Sequence, residues 1–534
     1  MKRIYILLTG LLIGFSLNAQ DAVQNIHSAV FHRYLPVPGS MGILYRSVQT
    51  TDGGYASVGH ITDLSSFTDD FLILKTNADG TTGWSKRLAS SEYDEFHDLI
   101  ETNDNGLAVA GSVMNSATFI SQAVVVKFDG NGVKQWSKTY SLNGISSTAN
   151  WIQKDGSGFL YVLGSVDVTG ASTDYLLMKI DPSNGDLLEQ HTFGTPESDL
   201  PLAFLRKSTG DFFISGAHDI TGSGENIHLL KINSSMAVDW NKLSSGSDNY
   251  FCYDMREKLN GNLVFAGRYT TFEEPYDILL GEIETLTGNP VWANHYTPAG
   301  GLPCYALGLT VNTGDVFGLT GAVEDTSGGT FILTTASDGT LNWSEKLGGG
   351  SGVYNSGYGI MKTNDGGYFV CGSWSGTNNS TVQVLKTTAV RDIPCNKLPF
   401  DVVTTALTLP EQSLTISAGT STLSAQDFVP EELTLDPLED ICQGLGITEN
   451  KIMDDVIVYP NPSKGQFTVS TKGLEKSASL SITDPLGKVI YYNNDPGAKI
   501  EETSINIDLN LSPGIYLVRL INNNSVATKQ LIVN

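Results

Sequence analysis

The stretch Tyr55–Trp84, YASVGHITDLSSFTDDFLILKTNADGTTGW, carries three signals that decide the fold: a strand ending in glycine, a second apolar strand, and a glycine-containing turn leading to tryptophan. The first signal, YASVGH with Gly59, returns as LAVAGS (Gly111), LYVLGS (Gly164), FFISGA (Gly216), LVFAGR (Gly267), FGLTGA (Gly321) and YFVCGS (Gly372). The steps between these glycines are 52, 53, 52, 51, 54 and 51 residues. A second strand follows each, as in FLILK (Lys75), VVVK (Lys127), LLMK (Lys179), HLLK (Lys231) and QVLK (Lys386). The turn and its tryptophan recur at Trp136, Trp240, Trp292 and Trp343, while the third repeat places Glu189 there.

Four short strands in roughly 52 residues is the size of one propeller blade, and the 3.6-residue pattern of helical repeats is absent. The spacing predicts an all-β chain with a seven-bladed β-propeller over residues 28–395; an open β-solenoid is the alternative. The seventh repeat runs out after Lys386 without a fourth strand, whereas Ser28–Leu35 (SAVFHRYL) stands ahead of the first repeat where such a strand belongs. Ala29–Leu35 is therefore expected to complete the last blade and remove two exposed sheet edges. The repeats resemble bacterial secreted propellers with kelch-like or quinoprotein-like blades, a likeness that concerns fold and says little of function. The tryptophans are expected between blades, each indole N–H meeting a local acceptor.

Composition agrees with a β-rich protein. The chain has 534 residues, 56 glycines, 40% apolar residues and only 17% charged ones. Its formal charge of −25 argues against nucleic acid or anionic lipid as main partner, since like charges repel. At the start, MKRIYILLTGLLIGFSLNAQ has a basic pair, an apolar run and Ala19-Gln20 as a cleavage site, the pattern of a secretory signal peptide over residues 1–19. No other stretch is apolar for 18 residues, so no transmembrane segment is expected.

At the other end, alternating runs such as Gln466–Ser470, Ser479–Thr483 and Ile515–Ile521, separated by proline- and glycine-bearing turns, predict a small β-sandwich over residues 451–534. VYPNPSKGQFTV (Val458–Val469), TDPLGKVIY (Thr483–Tyr491), LSPGIYLVRL (Leu511–Leu520) and TKQLIVN (Thr528–Asn534) resemble the C-terminal sorting domain, type A, of the type IX secretion system. The motif residues are Tyr459, Pro460, Asn461, Pro462, Gly465, Gly487, Gly514, Tyr516 and Lys529. The resemblance implies periplasmic transit, recognition by the outer-membrane translocon of a Gram-negative bacterium, and release or attachment at the cell surface. Pro460 and Pro462 are expected to hold the first strand extended, and Gly465, Gly487 and Gly514 to permit tight turns.

In a four-stranded meander the first and third turns share one face, and here these are short (TDGG, NDNG, NDGG). The opposite face carries long, irregular loops, among them His60–Asp70, Ser90–Asp98, Ser244–Phe251 and Arg268–Asp277, and is the expected binding surface. Its acids and aromatics suit sugars, and the binding candidates are Asp70, Tyr93, Asp94, Asp98, Tyr250, Asp254, Glu274, Tyr276 and Trp374. Arg46, His97, Asp98, Asp254 and Arg256, near the innermost strands, are candidates to meet at the channel mouth. A carboxylate pair there would suit acid–base work on a glycan. The HExxH and GxSxG motifs are absent, and ETLTGNPVW matches a quinoprotein Trp-docking turn only with Glu284 in place of Asp. No cofactor is expected; oxygen-rich loops are the kind that hold calcium, but the D-x-[DN]-x-[DN]-G pattern is missing.

Cys395 and Cys442 flank residues 396–450, read as a partly ordered extension against the propeller's side followed by a linker. A disulfide between them would stabilise by about 4 kcal/mol in the chain-entropy description. Cys252 and Cys304, one repeat apart, are a second candidate pair, and Cys371 is read as a buried thiol. The functional expectation is an exported propeller that binds a glycan or protein without catalysis. The alternatives are a glycan hydrolase or lyase using channel-mouth carboxylates, and a structural adhesion component.

Overall fold

The computed structural model describes residues 30–534 apart from 91–92, 143, 169–171, 220–224, 245–247, 272–274, 325–327, 349–353, 376–379, 390–392, 394, 396, 442–455, 471–478, 485–488, 494–503 and 523–524. The signal-peptide expectation, with Ala19 and Gln20, therefore lies outside the described residues. The chain divides into two compact units, ending and beginning at Asp440 and Ile441.

The first unit is the expected seven-bladed propeller. Seven antiparallel sheets succeed one another, the first built from Ser40–Gln49, Tyr55–Asp63, Asp69–Thr76 and Thr82–Ala89. The innermost strands of the other blades are Tyr93–Glu101, Trp151–Lys154, Asp199–Arg206, Asn249–Glu257, Cys304–Asn312 and Tyr354–Lys362. Each inner strand packs on the next, and the seventh returns to the first. Closure uses the N-terminal strand as expected: Phe31–Tyr34 pairs antiparallel with Ser380–Lys386, Phe31 opposite Lys386. The ring of Phe31 takes the place a tryptophan holds elsewhere, since a Cβ on Gly80 of blade 1 would strike it.

The glycine that marks each repeat has a steric cause. Opposite it the inner strand takes one extra residue: the register slips between Leu44 and Arg46, Phe96 and Asp98, Pro201 and Ala203, Cys252 and Asp254, Ala306 and Gly308, and Gly357 and Gly359. In blade 3 the same slip falls between the Ser147–Val166 and Trp151–Leu163 pairs. Such a bulge turns one side chain out of the alternation and bends the strand. It also pushes a carbonyl toward the neighbouring strand, so a Cβ on Gly59 would collide with the Ile43 carbonyl, and one on Gly111 with that of Glu95. Only glycine fits there, and the repeat signal is the shadow of the bulge.

Tryptophan ties one blade to the next. Trp136 Nε1 donates to the Pro182 carbonyl at 3.0 Å and Trp240 Nε1 to that of Thr285 at 3.1 Å, each on the following blade's outer turn. Gly185 and Gly288 of those turns have positive φ and lie against the rings. The short inner turns of the same face are pinned by lysine: Lys75–Asp52 at 2.8 Å, Lys127–Asp104 at 2.9 Å and Lys386–Asp365 at 2.9 Å.

The largest departure from expectation is a fifth strand on every blade. Residues 397–440, taken from sequence as the start of an extension and linker, run round the perimeter in reverse blade order. Lys397–Pro399 adds to blade 6, Val402–Leu407 to 5, Glu411–Gln412 to 4, Ser417–Gly419 to 3, Ser424–Asp427 to 2, Glu431–Thr434 to 1, and Glu439–Asp440 to 7. This belt covers seven outer edges that would otherwise present unpaired N–H and C=O groups. Its short strands sit about seven residues apart, a period too brief and too polar to read as sheet.

Cys395, at the start of the belt, is disulfide-bonded; Cys442, its expected partner, lies outside the described residues. Cys252 and Cys304 do not pair, contrary to the second candidate bridge: both are free and buried, in different core clusters. Cys252 Sγ donates to the Asp254 carbonyl and burial pushes its thiol up to about 12. Cys371 is likewise a free, buried thiol.

The second unit has two sheets of its own. One joins Ile457–Tyr459, Gln466–Ser470 and Ser504–Asp508; the other runs Val489–Asn493, Ser479–Thr483, Gly514–Asn522 and Ser525–Val533. Phe467, Val469, Leu480, Ile482, Val518, Leu520 and Leu531 form its core. Asn461 fastens the opening motif to the last strand, donating to the Gln530 carbonyl at 2.6 Å and accepting from Ile532 N at 2.8 Å. Pro460 and Pro462, both after cis peptide bonds, lie beyond the first strand rather than within it, and Tyr459 at its end is half exposed. Gly465 has φ +92° and a Cβ there would meet the Leu509 carbonyl. Gly514 has no such need, a Cβ finding nothing nearer than 3.9 Å, because it opens a strand instead of closing a turn. Gly487 lies outside the described residues. Tyr516 buries its ring and donates to the Ser512 carbonyl at 2.9 Å, and Lys529 pairs with Val518 in the closing hairpin.

Candidate functional site

The seven bulges send one side chain each toward the propeller axis. These are Tyr45, His97, Asn150, Leu202, Tyr253, Leu307 and Tyr358, each standing 14 residues before its repeat glycine. All seven are half-buried. Together with Arg46, Trp151 and Pro201 they line an axial pocket of about 230 Å³.

Arg46 forms one wall. Its Nη1 donates to the carbonyls of Tyr358 at 2.8 Å and of Leu307 and Tyr45 at 3.2 Å, and its Nη2 to that of Tyr253 at 3.2 Å. Its guanidinium carbon lies 4.5 Å from the Trp151 ring centroid. Three blades besides its own thus hold the cation by carbonyl dipoles, with Trp151 of a fourth facing it. No carboxylate forms an ion pair with it among the described residues.

Beside Arg46, in blades 1 and 2, titratable groups converge. The Tyr45 ring lies 5.6 Å from each of His60, His97 and Tyr358. Glu95 sits between the two imidazoles, 3.9 Å from His60 Nδ1 and 3.9 Å from His97 Nε2. Those gaps exceed a direct hydrogen bond and suit a bridging water. Burial, aided by the nearby Asp69 charge, pushes the Glu95 carboxyl up to about 7. Burial, then the His60 ring, holds His97 down to about 4, and burial lowers His60 as well. Burial and the Glu95 charge raise the Tyr45 hydroxyl. At neutral pH this leaves neutral imidazoles, a protonated phenol and a carboxyl near its midpoint in one cluster. The Nδ1 of His60 is buried and makes no hydrogen bond.

Most of the residues proposed from sequence are elsewhere. Asp98 and Asp254, expected at the channel mouth, follow the bulge residues and face the next blade: Asp98 accepts from Ile152 N and Asp254 from Leu309 N, both at 2.9 Å. They staple neighbouring blades, and Arg256 pairs with Asp254 at 2.6 Å. Burial pushes Asp98 up to about 6, against the pull of the Ile152 N–H and Arg46. Asp70 is buried in an ion pair with Arg87 inside blade 1. Asp94 is fully buried and accepts from Ser90 Oγ at 2.9 Å. Tyr250 is buried beside Tyr269, and Tyr276 lies under the Arg268 guanidinium at 4.7 Å. Tyr93 starts an inner strand, and Glu274 lies outside the described residues. Trp374 lines a cleft between blades 7 and 1. Sequence reasoning reached Arg46 and His97, and missed Tyr45 and Tyr358. The signal was present as the residue 14 places before each repeat glycine. No group of three or more His, Cys, Asp or Glu side chains able to hold a metal occurs among the described residues.

A closed seven-bladed propeller followed by a separate β-sandwich defines a propeller protein with a C-terminal β domain of its own. Residues 457–534 match the family described as the secretion system C-terminal sorting domain, and they are such a domain of the type IX system. It directs the protein through that secretion machinery to the cell surface or extracellular space. No helix among the described residues is long and apolar enough to cross a membrane. A curated protein, the endo-acting ulvan lyase of Formosa agariphila, is 34% identical over 93 residues, which is 17% of each chain. A solved ulvan lyase structure, described as a new family of polysaccharide lyase, is 8% identical with TM-score 0.44 over 68% of this chain and 96% of that one. A protein of unknown function from Dyadobacter fermentans is 8% identical with TM-score 0.40, over 67% and 98%.

Proposed function

We propose that the axial pocket cleaves a uronate-containing glycan by β-elimination. The observation that carries this reading is the meeting of Tyr45, Arg46 and His97 in one pocket whose described lining holds no carboxylate. A hydrolase or lyase working through channel-mouth carboxylates, the enzymatic alternative drawn from sequence, needs acids at the axis, and Asp98 and Asp254, expected there, staple blades instead. Elimination needs a base, an acid and a cation. His97, kept neutral, takes the proton α to the uronate carboxylate, and an incoming carboxylate raises the basicity of that imidazole. The released electron pair forms the ring double bond as the bond to the glycosidic oxygen breaks. Tyr45 gives its proton to that leaving oxygen, and Arg46 with the pocket's dipoles balances the carboxylate charge.

The test is incubation of the purified protein with ulvan, polygalacturonate and alginate while following the ultraviolet absorbance of the unsaturated uronate. Unsaturated product from at least one polymer is expected, and its loss in Tyr45→Phe. New reducing ends without unsaturation would mean hydrolysis, and binding without either product would restore the binding module expected from sequence.

A further inference from the structure

A second cleft, of about 310 Å³, opens where blade 7 meets blade 1 and is lined by Met41, Ile43, His60, Thr62, Ser373 and Trp374, among others. His60 is the hinge of the argument: it lines this cleft while its ring lies 5.6 Å from Tyr45, which lines the axial pocket. The linings of the two cavities thus meet where the His60 ring lies beside that of Tyr45. The cleft has the make-up of a sugar site, an aromatic and aliphatic wall with a few polar groups at its rim. Thr62 Oγ1 donates to Asp69 Oδ1 at 2.5 Å, fixing the hydroxyl on that rim.

Trp374 is held in place rather than merely exposed. His32, from the strand that closes the ring, meets it edge-on at 5.7 Å with planes at 90°. His32 is buried and its Nε2 shares a 2.8 Å hydrogen bond with Gln383 Oε1, whose amide donates to Thr330 Oγ1 at 2.9 Å. A network spanning three strands therefore backs the indole, the arrangement expected of a stacking platform and unneeded for a loose surface aromatic.

Building on the elimination reading, we infer that the Trp374 cleft is a second pyranose subsite, so that the bond cleaved at Tyr45 joins a uronate in the axial pocket to a neighbouring sugar stacked on Trp374. The enzyme then takes at least two linked sugars and favours chains over single units.

The experiment uses the full protein and calorimetric titration with disaccharides and tetrasaccharides of ulvan, polygalacturonate and alginate, followed by turnover on the polymers. For the tetrasaccharide the wild type binds, Trp374→Ala is expected to weaken affinity about tenfold, the worth of one aromatic platform. Trp374→Phe, which keeps a ring for stacking, is expected to recover most of that loss, and an unchanged thermal midpoint shows that neither variant has unfolded. Tyr45→Phe is expected to keep tetrasaccharide affinity while losing turnover. Tetrasaccharide affinity unchanged in Trp374→Ala would overturn the subsite and leave the elimination reading standing. A wild type that binds none of the three oligosaccharide series would overturn both.

Discussion

The same structural position serves opposite purposes on two sides of the propeller axis. In blades 1 and 2 the bulge presents Tyr45 and His97, backed by His60 and Glu95; in blades 4 and 6 it presents Leu202 and Leu307. The backbone geometry is alike on both sides: each bulge residue stands 14 places before a glycine whose Cβ would collide with a neighbouring carbonyl or side chain. The ring therefore fixes where seven side chains go and leaves open what they are. Shifted titratable groups converge in one sector, and the rest of the ring supplies Asn150, Leu202, Tyr253 and Leu307, together with carbonyl dipoles for Arg46.

The contrast is broken most sharply by substitution at the axis. Tyr45→Phe or His97→Gln should lower kcat/KM by about 10²–10⁴-fold, the usual weight of a general acid or base. Leu202→Ala should change it by about tenfold, the low end of what one apolar contact in a pocket contributes. Equal losses from both sides of the axis in steady-state kinetics would show that the reactive sector is no more than pocket wall. One step back from the axis, the architecture itself can be tested. Gly111→Ala places a Cβ against the Glu95 carbonyl and should destabilise by about 1–3 kcal/mol while displacing Glu95. Gly156→Ala, with nothing within 4 Å, should stay within about 0.5 kcal/mol in denaturant titration.

A change at the perimeter should treat both sectors alike. Cys395→Ser opens the bond at the start of a belt that touches all seven blades, and should cost about 2–4 kcal/mol of stability. Unfolding should remain a single transition, with kcat unchanged in the folded fraction. A split transition, with blades 1 and 2 melting apart from the rest, would mean that the belt does not bind the ring into one unit.

Architecture was legible because its signals repeat. Seven glycines at steps of 51 to 54 residues gave blade number, and the missing strand after Lys386 gave closure through Phe31–Tyr34. The belt was not legible: its pairings are as short as two residues, and their partners lie some 50 to 410 residues upstream. The axial site was half legible. Arg46 and His97 were suspected because they are charged or titratable near inner strands, whereas Tyr45 and Tyr358 resemble core residues until the bulge turns them out of the alternation. Asp98 and Asp254 misled for the opposite reason: a buried carboxylate beside an axis looks like chemistry, and a backbone N–H of the next blade had already claimed each.

The smallest expected effect concerns acid, and it separates two groups within the reactive sector. His97 is held near 4 when folded, against about 6.5 in an unfolded chain. As pH falls from about 6.5 to about 4, the unfolded chain takes up a proton that the folded site refuses, so this group withdraws stability across that window. Glu95, pushed up to about 7, does the reverse: between about 7 and about 4 the folded site holds a proton that the unfolded chain has released, and stability rises on acidification. His97→Gln should therefore gain in thermal midpoint relative to wild type as pH drops through this range, and Glu95→Gln should lose. Leu202→Ala, carrying no titrating group, should keep a constant offset. Parallel curves for all three variants would mean that burial does not hold the Glu95–His97 pair away from the ordinary values, so that the neutral imidazole elimination requires at neutral pH owes nothing to the surroundings of His97.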